Sequence, residues 1–216
     1  MGKFKTLTSV TLASTALLAL VACSDGGATG TLSGRSSSSS LTKAPGAASE
    51  TPARNRQLAP QVTDPLDAAR LVAHPCDSLT ADQLDRLGVA HKGNETVVDT
   101  DGGKGCDWQY GLNLEWTIQV AFVMPGSRNG LQNEYDQNSA GWFDGGYFVP
   151  TSVAGYPGVL SNVSDTRPHG RCDLAVGIND QMLLTTAVTG EATRDNCKAA
   201  ANVAERVISK IKAGGN

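Results

Sequence analysis

Four cysteines, three histidines and one aspartate-rich loop are the residues of this 216-residue chain whose types and spacing could do chemistry. The cysteines are Cys76, Cys106, Cys172 and Cys197; a fifth, Cys23, belongs to the N-terminus and is taken up below. No Cys-x-x-Cys occurs, and only His74 and His169 lie near a cysteine, so the spacing does not make a zinc site. An even set of cysteines in an exported chain is the pattern of two disulfides. Three pairings are open. Cys76 with Cys106 and Cys172 with Cys197 is preferred, because each pair then joins neighbouring elements of one half of the domain. Each such loop would add about 3–4 kcal/mol by restricting the unfolded chain.

Catalysis needs more than these residues supply. No Gly-x-Ser-x-Gly elbow is present, and Ser127, following Pro125-Gly126, reads as a helix cap. His74, His91 and His169 all fall in predicted loops, where a general base would lack a positioned partner. Asp99-Thr100-Asp101-Gly102-Gly103 opens like an EF-hand loop, but its twelfth position is Tyr110 and not Glu. A polar hairpin loop is the plainer reading, with a loose oxygen site on Asp99 and Asp101 as its rival. No Gly-x-x-x-x-Gly-Lys loop is there to cradle phosphate. The sequons at Asn94 and Asn162 read as chance matches. No catalytic residue, metal or cofactor is expected.

The aromatic residues are the feature that could mark a surface. From Cys23 onward every one lies between Trp108 and Tyr156. Trp116 and Phe122 keep a strand alternation and belong to a core. Trp142, Phe143, Tyr147 and Phe148 stand among glycines with neither helical nor strand period. On a loop they would form a ligand-binding surface for an apolar or carbohydrate ligand, or for a partner protein. Folded inward, they would plug one end of the domain.

The N-terminus gives an address. Lys3 and Lys5 precede an apolar run, residues 10–21, which is short for a bilayer span and has the form of an export signal. It ends in Leu20-Val21-Ala22-Cys23, which resembles the lipobox of bacterial lipoproteins. That resemblance implies cleavage after residue 22 and a diacylglycerol on the sulfur of Cys23, a membrane anchor that does not span. Residues 23–61 would then be the lipidated cysteine and a tether. Of the 38 residues 24–61, 26 are Ser, Thr, Gly, Ala or Pro and none is aromatic. Such a coil reaches about 35 Å root-mean-square. Residues 62–216 remain for a single domain. They carry 12 Lys and Arg against 19 Asp and Glu, net −7, so the basic footprint of a nucleic-acid binder is missing.

The elements that must position these residues follow from pattern. Asp64-Pro65 looks like a helix start ended by Pro75. Thr80 to Gln83 is a capping box for a second helix stopped at Gly88. Residues 89–104 read as a loop and residues 105–110 as a strand. Leu114, Trp116, Ile118, Val120 and Phe122 alternate with polar residues, a half-buried strand. A short helix is expected over 128–138, a weak strand at Val159-Leu160, and a hairpin from Leu174 to Val188 turning at Asn179-Asp180. An apolar stripe from Cys197 to Ile211, capped near Asp195, makes the closing helix. The fold class is α+β: an antiparallel sheet of about five strands covered by helices, in two layers, with two disulfides.

Taken together, the lipobox, the tether, Pro75-Cys76-Asp77, Gly105-Cys106-Asp107-Trp108, Gly155-Tyr156-Pro157, Cys172-Asp173-Leu174 and the Ala-rich helix after Cys197 resemble an actinobacterial family of secreted lipoproteins of unknown function. The resemblance covers residues 70–212. It implies a cell-envelope lipoprotein of Gram-positive type and supports two disulfides, but it carries over no activity. In element order the domain is also similar to the small antiparallel-sheet proteins of the photosystem subunit P type. The function read from the sequence is a binding or interaction module at the extracytoplasmic face of the membrane, and not an enzyme. A cell-envelope hydrolase and an accessory subunit of an envelope complex are the alternatives. Cys23→Ala is expected to move the protein from the membrane fraction to the soluble fraction; cell fractionation with a fatty-acid label checks this, and unchanged retention would remove the anchor.

Overall fold

The computed structural model describes residues 56–89, 92–98 and 103–215. The readings made for Cys23, the signal, residues 24–55 of the tether, His91, Asp99 and Asp101 lie outside the described residues.

One antiparallel sheet of seven strands, where about five were expected, organises the domain. The strands are β1 (Asn94–Val98), β2 (Gly103–Tyr110), β3 (Trp116–Val123), β4 (Tyr147–Val153), β5 (Tyr156–Asn162), β6 (Arg171–Gly177) and β7 (Leu183–Thr189). Their spatial order is β1-β2-β3-β7-β6-β5-β4. Two meanders thus meet at the centre, where Thr117 stands opposite Thr189 and Val123 opposite Leu183.

The two additional strands are the edges. β1 lies in the stretch read as a loop, because Asn94 to Val98 are exposed or half-exposed throughout and show no apolar alternation. β4 is concealed by Gly145-Gly146 before it and Pro150 within it. An edge strand tolerates Pro150, which has no N–H to give a ladder. Its hairpin with β5 turns on Ala154 and Gly155, both at positive φ (51° and 86°), the pair of conformations that fits strand twist.

Helices α1 (Ala69–Ala73), α2 (Ala81–Leu87), α3 (Gln132–Ser139) and α4 (Asn196–Lys212) complete the described fold. Asp64-Pro65 does not start a helix. The Leu66 N–H donates to Ile178 O at 2.8 Å and the Tyr156 hydroxyl donates to Asp64 at 3.3 Å, so sheet contacts hold this segment out of helical form. Likewise α3 begins at Gln132 and not at residue 128, because Arg128 and Gly130 take left-handed φ of 50° and 51°. Ser127 is therefore not its cap. The box at α2 forms as read: Gln83 N–H donates to Thr80 Oγ1, Thr80 N–H donates to Gln83 Oε1, and Gly88 ends the helix in the left-handed region.

Period-two alternation gives the sheet two unlike faces. One carries Trp108, Ile118, Val120, Phe122, Leu174, Val176, Leu184 and Val188, none more than 3% exposed. Onto it α4 lays Ala200, Val203, Ala204, Val207 and Ile208. Burying a large apolar side chain contributes roughly 1.5–3 kcal/mol, so this face holds the main core. Both staples fasten helical cover to that face, in the preferred pairing. Cys76–Cys106 joins the 3-10 turn Pro75–Ser78 to β2, and Cys172–Cys197 joins β6 to the first turn of α4. The opposite face is covered only in part. There α3 sets Leu131 and Tyr135 against Val159, Ala175 and Leu183, so at this end helices lie on both sides of the sheet and the two-layer expectation is exceeded.

Residues 56–61, assigned by sequence to the tether, run beside α3. Gln132 accepts from Ala59 N at 2.9 Å and donates to Gln57 O at 3.2 Å. Arg56 pairs with Asp136 at 3.0 Å and holds that carboxyl below the usual carboxylate range. Among the described residues no helix is long and apolar enough to cross a membrane.

The staple at β2 leaves no spare room. A Cβ on Gly93 would stand 2.2 Å from Cys106 Sγ and 2.8 Å from Trp108 Nε1. Gly93→Ala should therefore destabilise the domain by about 1–3 kcal/mol, as overpacking does. Calorimetry should show a melting temperature lower by several degrees; an unchanged one would mean that β1 yields freely around the disulfide.

Candidate functional site

The residues that alternate with the core build a groove on the sheet face opposite α4. In one row across the strands Asp107 stands opposite Gln119, Gln119 opposite Ala187, and Ala187 opposite Asp173. In the next row Gly105, Ala121, Thr185 and Ala175 follow one another. Short side chains keep this floor low, and α3 covers only its far end. The hollow left is about 900 Å³, lined from Thr96 and Val97 on β1 to Ser161 and Asn162 on β5, with Asn133, Glu134 and Gln137 of α3 along it.

Its polar groups form one hydrogen-bonded chain across the strands. Gln119 Nε2 donates to Asp107 Oδ2 at 3.1 Å, and Arg171 Nη2 donates to Gln119 Oε1 at 3.1 Å. Arg171 also forks onto Asp173, with Nη2 to Oδ1 at 2.6 Å, and Asn162 Nδ2 donates to Asp173 Oδ2 at 2.8 Å. Charge-assisted and two-point bonds of this kind fix planar groups in orientation as well as place. Glu134 faces the same hollow from α3 and accepts from the Ser161 hydroxyl at 2.9 Å. Burial pushes its carboxyl pKa up, and the Ser161 bond opposes the shift without cancelling it.

A helix stop places the exposed aromatic. Gly141 takes a φ of 86°, the Trp142 N–H donates to Gln137 O at 3.1 Å, and the Gly141 N–H donates to Asn138 O at 3.0 Å. That Schellman ending turns the chain off α3 and sets Trp142 on the groove, 60% exposed. Its neighbours differ. Phe143 is 8% exposed and stacks on Phe148, with centroids 5.6 Å apart; Phe148 in turn meets Tyr135 edge-on at 5.0 Å. Tyr147 is buried, its hydroxyl accepts from Asp173 N at 2.9 Å, and Arg167 lies over its ring at 4.2 Å. The structure thus divides the four aromatics named from sequence. Trp142 and Phe143 line the groove, while Phe148 and Tyr147 brace what lines it.

Sequence reasoning missed Asp107, Gln119, Glu134, Asn162, Arg171 and Asp173. The only signal was that Asp107, Gln119 and Asp173 occupy the polar phase of their strands, which a solvated face would also show. His74 and His169 are exposed and lie outside the groove. The two disulfides leave Cys76, Cys106, Cys172 and Cys197 without free thiols. Among the described residues no three His, Cys, Asp or Glu side chains converge as a metal ion would require.

A protein-family model described as "Protein of unknown function (DUF3558)" matches residues 18–210. No curated protein and no solved structure matches the chain.

The raised Glu134 pKa has a measurable sign. The folded state binds this proton more tightly than the unfolded chain does, so the charged carboxylate disfavours folding. That penalty is absent below the unfolded pKa and complete above the folded one. Glu134→Gln should therefore stabilise the protein at about pH 7 and lose that advantage on acidification to about pH 4. Urea unfolding of both proteins at the two pH values measures the difference; an advantage that grows in acid would reverse the assignment.

Proposed function

We propose, for a chain that belongs to the DUF3558 family of proteins of unknown function, that it is a binding module of the cell envelope whose site is the groove on the uncovered sheet face. The observation that supports this most is the polar chain of Asp107, Gln119, Arg171, Asp173 and Asn162 laid across an open hollow of about 900 Å³. A face with only a structural task has no need of a low floor. Large apolar residues under a second long helix would stabilise it more. Pre-oriented polar groups in a concavity with apolar patches such as Trp142, Phe143 and Val163 are what small-molecule and chain-like ligands require.

The placement of this module rests on sequence. The lipobox-like Leu20-Val21-Ala22-Cys23 and the tether make it a lipid-anchored extracytoplasmic protein in this reading, with diacylglycerol on Cys23. A tether keeps a site at raised effective concentration near the membrane, which suits capture better than turnover. The reading names no catalytic residue.

The site is tested by nuclear magnetic resonance on the mature full-length protein in detergent micelles, titrated in turn with lipid, polysaccharide and protein fractions of an envelope extract. The Trp142 indole and the side-chain amides of Gln119 and Asn162 should shift together with at least one fraction. Shifts confined to α4 or to the sheet edges would place the interaction elsewhere and end the groove reading.

A further inference from the structure

The geometry points to a ligand class for this groove: an extended, uncharged oligosaccharide lying across the strands. The inference rests on the proposed groove site and adds what fills it.

Length comes first. From β1 to β5 the order β1-β2-β3-β7-β6-β5 contains five strand steps. At about 4.8 Å each the groove runs about 24 Å across the sheet, a shape for a chain and not for a compact metabolite. The unused hydrogen-bonding capacity comes second. Within the network Asp107 Oδ1 and Glu134 Oε1 accept from no described residue, and Arg171 Nη1 donates to none. What is open is two acceptors and one donor fork, the complement of hydroxyl groups, which give a proton and take one. Third, Trp142 is 60% exposed, and an indole face takes the apolar face of a sugar ring as it takes other apolar surfaces.

The other chain-like ligands fit less well. An acyl chain would strip water from a charged floor without replacing its bonds. A polyanion would meet Asp107, Asp173 and Glu134 against one Arg171, on a domain of net charge −7. A strand-adding peptide needs a free edge. Among the described strands that line the groove only β1 has one, and a peptide added there would run along the strands at the groove's end and not across the floor of β2, β3, β7 and β6, which are paired on both sides.

The experiment titrates the mature full-length protein in micelles with chitotetraose, cellotetraose and maltotetraose. A poly(glycerol phosphate) chain, phosphatidylglycerol vesicles and a decapeptide of mixed sequence are run beside them. At least one neutral tetrasaccharide should bind saturably at micromolar to millimolar concentration and shift the Trp142 indole. Trp142→Ala and Asp107→Asn should each weaken that binding about tenfold or more, and Glu205→Gln on the exposed side of α4 should not. Saturable binding only of the phosphate chain, vesicles or peptide, with shifts at Trp142 and Gln119, overturns the saccharide class and leaves the groove as a site. Tetrasaccharide binding that Trp142→Ala and Asp107→Asn leave unchanged overturns it too. Silence of the groove residues to every probe and to every envelope fraction overturns both readings.

Discussion

The two-residue period of the four central strands is the constraint on which the rest of this structure depends. Side chains along a strand alternate between faces, so fixing one set fixes the other. Trp108, Ile118, Val120, Phe122, Leu174, Val176, Leu184 and Val188 take the helix-covered face. Asp107, Gln119, Ala121, Asp173, Ala175, Thr185 and Ala187 are then committed to the opposite one. A slip of one residue at the junction of β3 and β7 would bury Gln119 under α4 and expose Val120, which the core could not accommodate. The groove is therefore held in register by the same burial that holds the domain together.

How each face is finished decides what it can do. The apolar face is closed by α4 and by the segment from α1 to α2, and both covers are covalently tied to the sheet through Cys172–Cys197 and Cys76–Cys106. Closure of that side does not depend on the other. This frees the opposite face from a full share of the core: α3 covers only the end where Val159, Ala175 and Leu183 supply apolar surface. Elsewhere the floor residues are too small or too polar to hold a helix. The same feature that weakens this face as a packing surface leaves it open to a ligand.

The legible parts of the sequence are those where one local rule acts alone. The capping box at Thr80, the alternation of Ile118, Val120 and Phe122 in β3, the hairpin turn at Asn179 and the stripe of α4 form as their patterns indicate. The earlier part of that alternation does not, because Leu114 takes a left-handed φ of 57° in the turn before β3 and stays exposed, and Trp116, at the strand's first position, is half-buried against Tyr110 and outside the core. The disulfide pairing follows from chain proximity. Legibility fails where a long-range contact outbids a local signal. Asp64-Pro65 carries every mark of a helix start, yet the bond from Leu66 to Ile178 decides its form. It fails also at the edges: β1 and β4 have a single neighbour each and need no apolar period, so Asn94 to Val98 and the Pro150 strand leave no trace in a pattern search. The groove was illegible for a further reason. Its polar chain draws Asp107 from β2, Gln119 from β3, Asn162 from β5, and Arg171 and Asp173 from β6, and only the sheet order brings them side by side. Trp142 and Phe143 were visible, as aromatics among glycines, and what sets exposed Trp142 apart from buried Phe143 is the helix stop at Gly141.

The rigidity of the site is uneven, and the unevenness has a direction. The floor is sheet, paired on both sides and stapled beneath. The wall is α3, eight residues long, which holds to the sheet through Leu131, Tyr135 and the aromatic contacts of Tyr135 with Phe148 and of Phe148 with Phe143. The same helix also receives residues 56–59, which lead into the domain. Gln132 bonds the main chain at Gln57 and Ala59, and Arg56 reaches Asp136. The exposed ion pair contributes little by itself, but the two bonds of Gln132 to main chain fix the path of residues 57–59 against the wall. Under the proposed anchoring, residues 56–59, the described end of the lead-in to the domain, meet the groove's wall at Gln132 and Asp136 of α3. The wall that carries Glu134, and at whose end Trp142 stands, is thus also the element that receives the chain as it enters the domain, so one short helix braces both.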